Sequence, residues 1–428
     1  MRRLKVSENK RFLVYEDNTP FFYLGDTAWE IFHRCDQEEA ELYLKDRATK
    51  QFTVIQAVAL AELDGIRAPN SYGEKPLLDE NDPTKINEAY FQHVDWMVQK
   101  ANELGMFVGF LPTWGDKWNK KWGAGPEIFN PENARIYGEI LGKRYKNSDL
   151  IWILGGDRPI ENETHTEIMT AMAEGLRKGD NGDHLITYHP MGVGASSEHF
   201  HNKTWLDFNM IQSGHSRQNS ENYHLIENDY SLKPTKPCMD SEPPYENHCI
   251  DWKPEIGWFD DYAVRRHLYW SLFAGSHGHT YGCHDIWQMW LPERQNVGHC
   301  RTPWKESLHF PGSGQVRFAR QLLESLPYLT RIPDQSIIIS ETYADSVYDH
   351  IRATRDSEGS YALVYSASGK PFTLNLEKLK GETLNASWFD PENGETHSTE
   401  TISNSSSKEF ISPIFGEGND WVLILKGV

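Results

Sequence analysis

Residues 150–154, LIWIL, are five consecutive apolar side chains without polar alternation, and Gly155, Gly156 and Asp157 follow at once. A strand apolar on both faces has to be covered on both, which is the position of a strand in a parallel sheet with helices packed outside it. Seven other short runs can be read as companions: FFYLGD (21–26), FTVIQAV (52–58), GMFVGFLPTW (105–114), HLITYHP (184–190), FNMIQSGH (208–215), KPCMDSE (236–242) and GSHGHTYG (275–282), the last being the least strand-like. Helix-forming segments lie between them, such as EEAELYLKDRATKQ, NEAYFQHVDWMVQKANELG, PENARIYGEILGKRYK and HTEIMTAMAEGLRKG, and several close on Gly or Asn-Ser. Eight such units predict an α/β chain with a (β/α)8 TIM barrel.

In that fold the working residues stand at the carboxy-terminal ends of the strands. The last polar or aromatic residues of the runs are therefore candidates: Asp26, Gln56, Trp114, Asp157, His189, Gln212 with His215, Glu242, and His279 with Tyr281. After the helix-like VRFARQLLESLPYLT (316–330) the pattern changes to short alternating strands, YALVYSAS, FTLNL, NASWFDPENG and DWVLILKG, with SNSSSKE (403–409) reading as a polar loop. This predicts a barrel domain over 1–332 and a small all-β sandwich over 333–428, joined through the short connection RIPDQS. A chain of 428 residues has room for a barrel of about 250 residues or more and such a module.

Composition narrows the partners. The formal net charge of −19 argues against nucleic acid, whose phosphates need a basic face. No apolar stretch approaches the length of a membrane span. The opening MRRLKVSENKRF lacks an apolar segment, so the expected location is cytoplasmic, with an exported, processed form as the alternative. Five cysteines (Cys35, Cys238, Cys249, Cys283, Cys300) are scattered without CxxC spacing, and read as buried reduced thiols rather than a disulfide framework or zinc site. Tryptophan occurs 15 times, often beside polar residues in predicted loops, where its flat ring can serve as a platform for sugar.

Two carboxylates carry a specific chemistry. Asp157 closes the fourth run and Glu242, in MDSEPPYE, closes the seventh. Hydrolysis of a glycosidic bond needs one carboxyl kept protonated for the leaving oxygen and a second one ionised to attack the anomeric carbon or activate water, with no metal or cofactor. Fourth and seventh strands face each other across a barrel mouth, so the pair can flank one sugar. The plainer readings are that Asp157 is a turn or helix-capping residue and that Glu242 pairs with Arg265 or Arg266. Asp26, in GDTAW, could equally cap a helix or order substrate. Trp29, Trp114, Trp118, Trp122, Trp287 and Trp290 supply candidate platforms, those of TWGDKWNKKWG standing among Lys and Gly as core residues rarely do. His277, His279 and His284 in GSHGHTYGCH admit a metal reading, ranked lower because no local motif supplies a third ligand.

GDTAW near the start, GGD after the fourth run, SEPPYE at the seventh, and GHTYG with IWQ at the eighth resemble the apiosidase-like glycoside hydrolases, glycoside hydrolase family 140, over essentially the whole chain. The resemblance implies a barrel joined to a C-terminal β-sandwich often labelled collagen-binding, to which WFDPENG corresponds, although no residue pattern in these strands forms a collagen site. It implies Asp157 as acid/base and Glu242 as nucleophile, and activity on β-linked apiose in branched pectic oligosaccharide. Related barrels usually carry Asn-Glu where Gly156-Asp157 stands here. The expected mechanism is retaining, with substrate contacts from Asp26, Trp29, Gln56, Trp114, His189, Gln212, His215, His279, Tyr281 and Trp287. Two rivals remain: an inactive carbohydrate-binding barrel, in which either carboxylate would face outward in a salt bridge, and a hydrolase using a metal at His277 and His279.

Overall fold

A computed structural model of the chain describes residues 2–216, 221–343, 346 and 348–428. At its centre is a nine-stranded sheet that curls into a nearly closed barrel. In chain order its parallel strands are β1 (Tyr23–Thr27), β2 (Val54–Val58), β3 (Phe107–Leu111), β4 (Leu150–Gly155), β5 (Ile186–His189), β6 (Asn209–Gln212), β7 (Cys238–Asp240) and β8 (Gly278–Tyr281). The ladder runs β5-β4-β3-β2-β1-β8-β7-β6 and ends on a two-residue antiparallel strand, Gly194–Ala195, beside β6. The seam between β5 and β6 is drawn together by Asp207, whose N–H donates to the Ile186 carbonyl at 2.9 Å.

Alternate residues of the strands belong to two separate apolar layers. Tyr23, Val54, Val58, Phe107, Leu111, Ile151, Ile153, Met210 and Met239 share one cluster inside the barrel. Their neighbours Leu24, Ile55, Ala57, Val108, Phe110, Leu150, Trp152, Leu154, Ile211 and Cys238 share a second cluster with the surrounding helices. This period-2 partition explains the unbroken apolar runs, because both faces are covered. A three-stranded antiparallel sheet, Leu4–Val6, Leu13–Tyr15 and Pro20–Phe21, contributes Leu4, Leu13 and Phe21 to the inner cluster and forms the barrel floor.

The main helices are α1 (Gln37–Thr49), α2 (Glu88–Glu103), α3 (Pro131–Tyr145), α4 (Glu163–Asp180), α5 (Asn222–Ser231), α6 (Asp261–Phe273) and α7 (Pro311–Glu324). After β5 there is only one helical turn, Ser197–Phe200. Side chains at the chain entry fix several starts: Asp36 accepts from Glu39 N, Asn87 from Ala89 N, and Asn130 with Asn133 forms a capping box ahead of Pro131. Helices α3 and α4, which flank β4, meet backbone to backbone, since a Cβ on Gly175 would fall 2.1 Å from the Arg135 carbonyl oxygen.

The C-terminal part is all-β. Six antiparallel strands lie in the order Arg331–Pro333, Ile351–Asp356, Tyr361–Ser366, Trp421–Gly427, Thr383–Phe389, Thr396–Ser403. The pair Phe372–Asn375 and Ser407–Phe410 faces them across a core that includes Ile351, Val364, Phe372, Leu384, Phe410 and Leu423. Two segments differ from the sequence reading. The connection RIPDQS contributes a strand, and residues 403–409 hold the end of one edge strand and most of another. Both are short, and 403–409 is largely polar and exposed, so no apolar alternation announced them.

Candidate active site

The apolar strand β4 ends in a turn that only a glycine pair permits. Gly155, Gly156 and Asp157 have φ of 94°, 106° and 51°, three successive residues in the left-handed half of conformational space. A Cβ on Gly155 would stand 2.3 Å from the His189 carbonyl oxygen. Gly156 N–H donates to that same oxygen at 3.2 Å, and Gly115 N–H donates to the Gly156 carbonyl at 3.0 Å. The turn is thus tied to β5 on one side and to the loop after β3 on the other. It delivers the Asp157 carboxyl into a cavity of about 440 Å³ at the mouth of the barrel.

Glu242, two residues beyond β7, lines the same cavity. Its two oxygens lie 3.0 Å from His215 Nε2 and 2.9 Å from His189 Nε2. The backbone beneath is held by Gly214 N–H donating to the Glu242 carbonyl at 2.9 Å, while buried Asp240 accepts from Ser213 Oγ at 2.7 Å and Asn222 Nδ2 at 2.9 Å. Arg265 pairs instead with Asp261 and Asp420, so the ion pair considered for it with Glu242 is absent. Nor is Asp157 a helix cap: Asn162 caps α4.

The two carboxyls are driven apart electrostatically. Burial, then the negative charges of Glu242 and Glu62, raise Asp157 to about 7 against the opposing pull of Arg158 and His189. Burial acts on Glu242 as well, but the hydrogen bonds and charges of His189 and His215 outweigh it and bring Glu242 down to about 2. The surroundings thus favour the protonated form of Asp157 and the ionised form of Glu242. Asp157 remains 25% accessible on the cavity side.

Of the expected contact residues, Trp29, Trp114, Gln212, His215 and Trp287 line the cavity with the carboxylates. His189 lies one layer behind, against Glu242 and beside the rings of Trp29 and Trp114. Four others do not reach the wall, for reasons of strand geometry. Asp26 stands on the outer face of β1, where Tyr43 and Arg47 of α1 hold it. His279 and Tyr281, on the outer face of β8, meet Ser271 and Glu246. Gln56 points inward but sits below the mouth, bonded to Tyr23 and the Ser241 carbonyl. Counting a strand's last polar residue ignores that alternate residues leave the barrel.

Among the platform candidates, Trp122 lines the cavity, Trp118 packs in the core, its ring 5.1 Å from that of His165, and Trp290 is off the cavity wall. His277 packs against Tyr23 and Phe208 inside the barrel, and His284 bonds the Gly298 carbonyl. Among the described residues no group of three or more His, Cys, Asp or Glu is placed to hold a metal ion. All five cysteines are buried and free.

The sequence reading passed over Glu62, Tyr245, His248 and Trp252, all on the cavity wall. Tyr245 accepts from Trp29 Nε1 at 3.0 Å. The His248 ring stacks on His215 at 4.4 Å, and Trp252 stands edge-on to His248 at 4.4 Å. Glu62 lies in AELDG, beyond the end of β2, and Tyr245 lies within SEPPYE, so both were signalled by loops that directly follow barrel strands. His248 and Trp252 come from a long excursion between β7 and α6, which has no such marker. Trp114 Nε1, Gln212 Oε1 and His248 Nε2 are buried without a partner among the described residues.

The apiosidase-like catalytic-domain family matches residues 7–330, and a family named for the collagen-binding domain of a collagenase matches residues 332–426. A solved glycoside hydrolase is 33% identical, covering 99% of this chain and 97% of its own with a TM-score of 0.91. A glycoside hydrolase family 5 structure from Bacteroides vulgatus is 32% identical, with 99% and 92% coverage and a TM-score of 0.91. A further Bacteroides vulgatus structure, 14% identical with 100% and 82% coverage and a TM-score of 0.71, shares the fold. No curated protein matches the chain.

Proposed function

For a chain that belongs to the apiosidase-like glycoside hydrolases, we propose a two-carboxylate retaining mechanism in which Asp157 is the acid/base and Glu242 the nucleophile. The observation that carries this reading is the placement of two carboxyls on one cavity wall in opposite surroundings, Glu242 against the rings of His215 and His189, which lower it, and Asp157 beside Glu242 and Glu62, whose charges add to burial in raising it. At an intermediate pH, Glu242 attacks the anomeric carbon while the Asp157 carboxyl gives its proton to the departing oxygen. The glycosyl–Glu242 ester is then hydrolysed by a water whose proton returns to Asp157. His189 and His215 hold Glu242 ionised and aimed.

The sheet is read as a (β/α)8 barrel spanning 1–332, with the β-sandwich over 333–428. Trp29, Trp114 and Trp287 supply apolar faces for a sugar ring. The substrate follows the family resemblance, a terminal β-linked apiose on a pectic oligosaccharide. Screening aryl glycosides and pectic fragments tests the sugar, and 1H NMR of the first-formed product anomer tests the stereochemistry. Retention is expected, and an inverted anomer would replace the nucleophile role of Glu242 by that of a base.

A further inference from the structure

The loop after β2 places a third carboxylate, Glu62, on the cavity wall beside the pair already described. It does not meet Asp157 directly. Between them lies Arg158, fully buried, whose Nη2 donates to Glu62 Oε1 at 2.7 Å. Its Nη1 donates to the Asp157 carbonyl at 2.7 Å and lies 3.3 Å from Asp157 Oδ2. The guanidinium carbon is 4.3 Å from the centre of the Trp122 ring, which closes the outer side. A permanent cation therefore touches the carboxyl that the proposed reaction needs protonated. Left unopposed, it would favour the ionised form and remove the acid.

We infer that Glu62 is a positioning and charge-balancing residue that neutralises Arg158, so that the arginine can fix the left-handed Asp157 backbone without ionising its carboxyl. The inference rests on Asp157 being the acid/base. The other charged and titratable groups facing Asp157 are Glu242 after β7 and His189 and Tyr188 on β5. Those facing Glu62 are Arg158, Asp116 and Glu30. Among the described residues, Glu62 and Asp157 are the carboxylates within ion-pair distance of the Arg158 guanidinium, Glu62 at Nη2 and Asp157 at Nη1. A glutamine there can still accept from Arg158 Nη2, so Glu62→Gln removes the charge and keeps the contact. That separates electrostatic balance from mere support.

The test is the pH dependence of kcat/KM, which reports groups of the free enzyme, on a poor-leaving-group glycoside for wild type, Glu62→Gln, Glu62→Asp and Arg158→Met. Glu62→Gln is expected to move the alkaline limb down by about one pH unit or more. Glu62→Asp, which keeps the charge, should return it towards the wild-type position. Arg158→Met should move the limb the opposite way, upward, and this holds the inference open to refutation even if one variant folds poorly by circular dichroism. A Glu62→Gln enzyme with lower kcat but an unmoved limb would overturn the inference. Asp157→Asn distinguishes the two levels of failure: if its profile keeps the wild-type alkaline limb, the acid/base assignment itself falls and the inference falls with it. If Asp157→Asn abolishes the limb while Glu62→Gln leaves it in place, only the role of Glu62 is lost.

Discussion

Asp157 and Glu242 bear the same functional group in one cavity, and their neighbours decide which keeps its proton. Two histidine rings stand against Glu242, His215 at 3.0 Å and His189 at 2.9 Å, whereas Asp157 has two carboxylates for company and Arg158 and His189 against them. Activity that needs Asp157 protonated and Glu242 ionised should hold below pH 7 and fall as the pH rises through about 7, where Asp157 loses its proton. Asp157→Asn should cut kcat/KM by about 10²- to 10⁴-fold on glycosides with poor leaving groups and spare activated aryl glycosides, because only the former need the proton. Equal losses on both substrates would remove the assignment. Glu242→Gln should lower kcat on the order of 10⁴-fold or more with both, while ligand binding, read by intrinsic tryptophan fluorescence, persists. The two carboxylates were legible in the sequence because each ends a recognisable apolar or proline-stopped run. Which of the two keeps its proton was expected from the pair alone, with ionised Glu242 raising Asp157, whereas the parts played by His189, His215, Glu62 and Arg158 were not legible, since only the fold gathers them.

At the scale of elements, the site depends on one sharp turn. Gly155→Ala would press a methyl group to within 2.3 Å of the His189 carbonyl oxygen at φ 94°. The expected cost is about 2 kcal/mol of stability, seen as a lower thermal midpoint, together with a kcat loss as Asp157 and the β5 end shift apart. An alanine variant with wild-type midpoint and kcat would show that the turn tolerates relaxation and does not aim Asp157. Strands β1 to β7 were readable from their short runs and β8, GHTY, was the least evident of the eight, but the face each strand-end side chain takes was not readable. Asp26, His279 and Tyr281 turned out on the outer face because side chains along a strand alternate between faces residue by residue, and a one-residue uncertainty in register reverses the answer. Glu62, Tyr245, His248 and Trp252 lie in loops, where no periodicity guides the reading.

The whole molecule joins its barrel and C-terminal sheets through charge as well as apolar area. Arg265 of α6 is 3.0 Å from Asp420, both buried, and Tyr269 of α6 stacks on Tyr365 at 4.9 Å. Tyr361, Leu363, Tyr365, Val422 and Ile424 belong to the same apolar cluster as the outer barrel layer. Asp420→Ala would leave Arg265 with Asp261 and Gln315 as its hydrogen-bond partners among the described residues, and should destabilise the chain by about 3 kcal/mol. Urea unfolding monitored by tryptophan fluorescence measures this, and a loss near zero would mean the two parts associate through apolar contact alone. The change from strand–helix units to all-β structure was visible in the sequence, whereas the contacts between the two parts were not, because they pair residues distant in the chain, such as Tyr269 with Tyr365 and Arg265 with Asp420.

The central claim is that Glu242 forms a covalent glycosyl-enzyme with Asp157 as its proton donor. Its most direct test is peptide-resolved mass spectrometry after brief incubation with the 2-deoxy-2-fluoro analogue of whichever activated aryl glycoside the enzyme turns over. The account predicts one added glycosyl mass, carried by the peptide containing Glu242 and absent from Glu242→Gln. A glycosyl mass on Glu62 or Asp157, or no adduct together with an inverted first product, would contradict it.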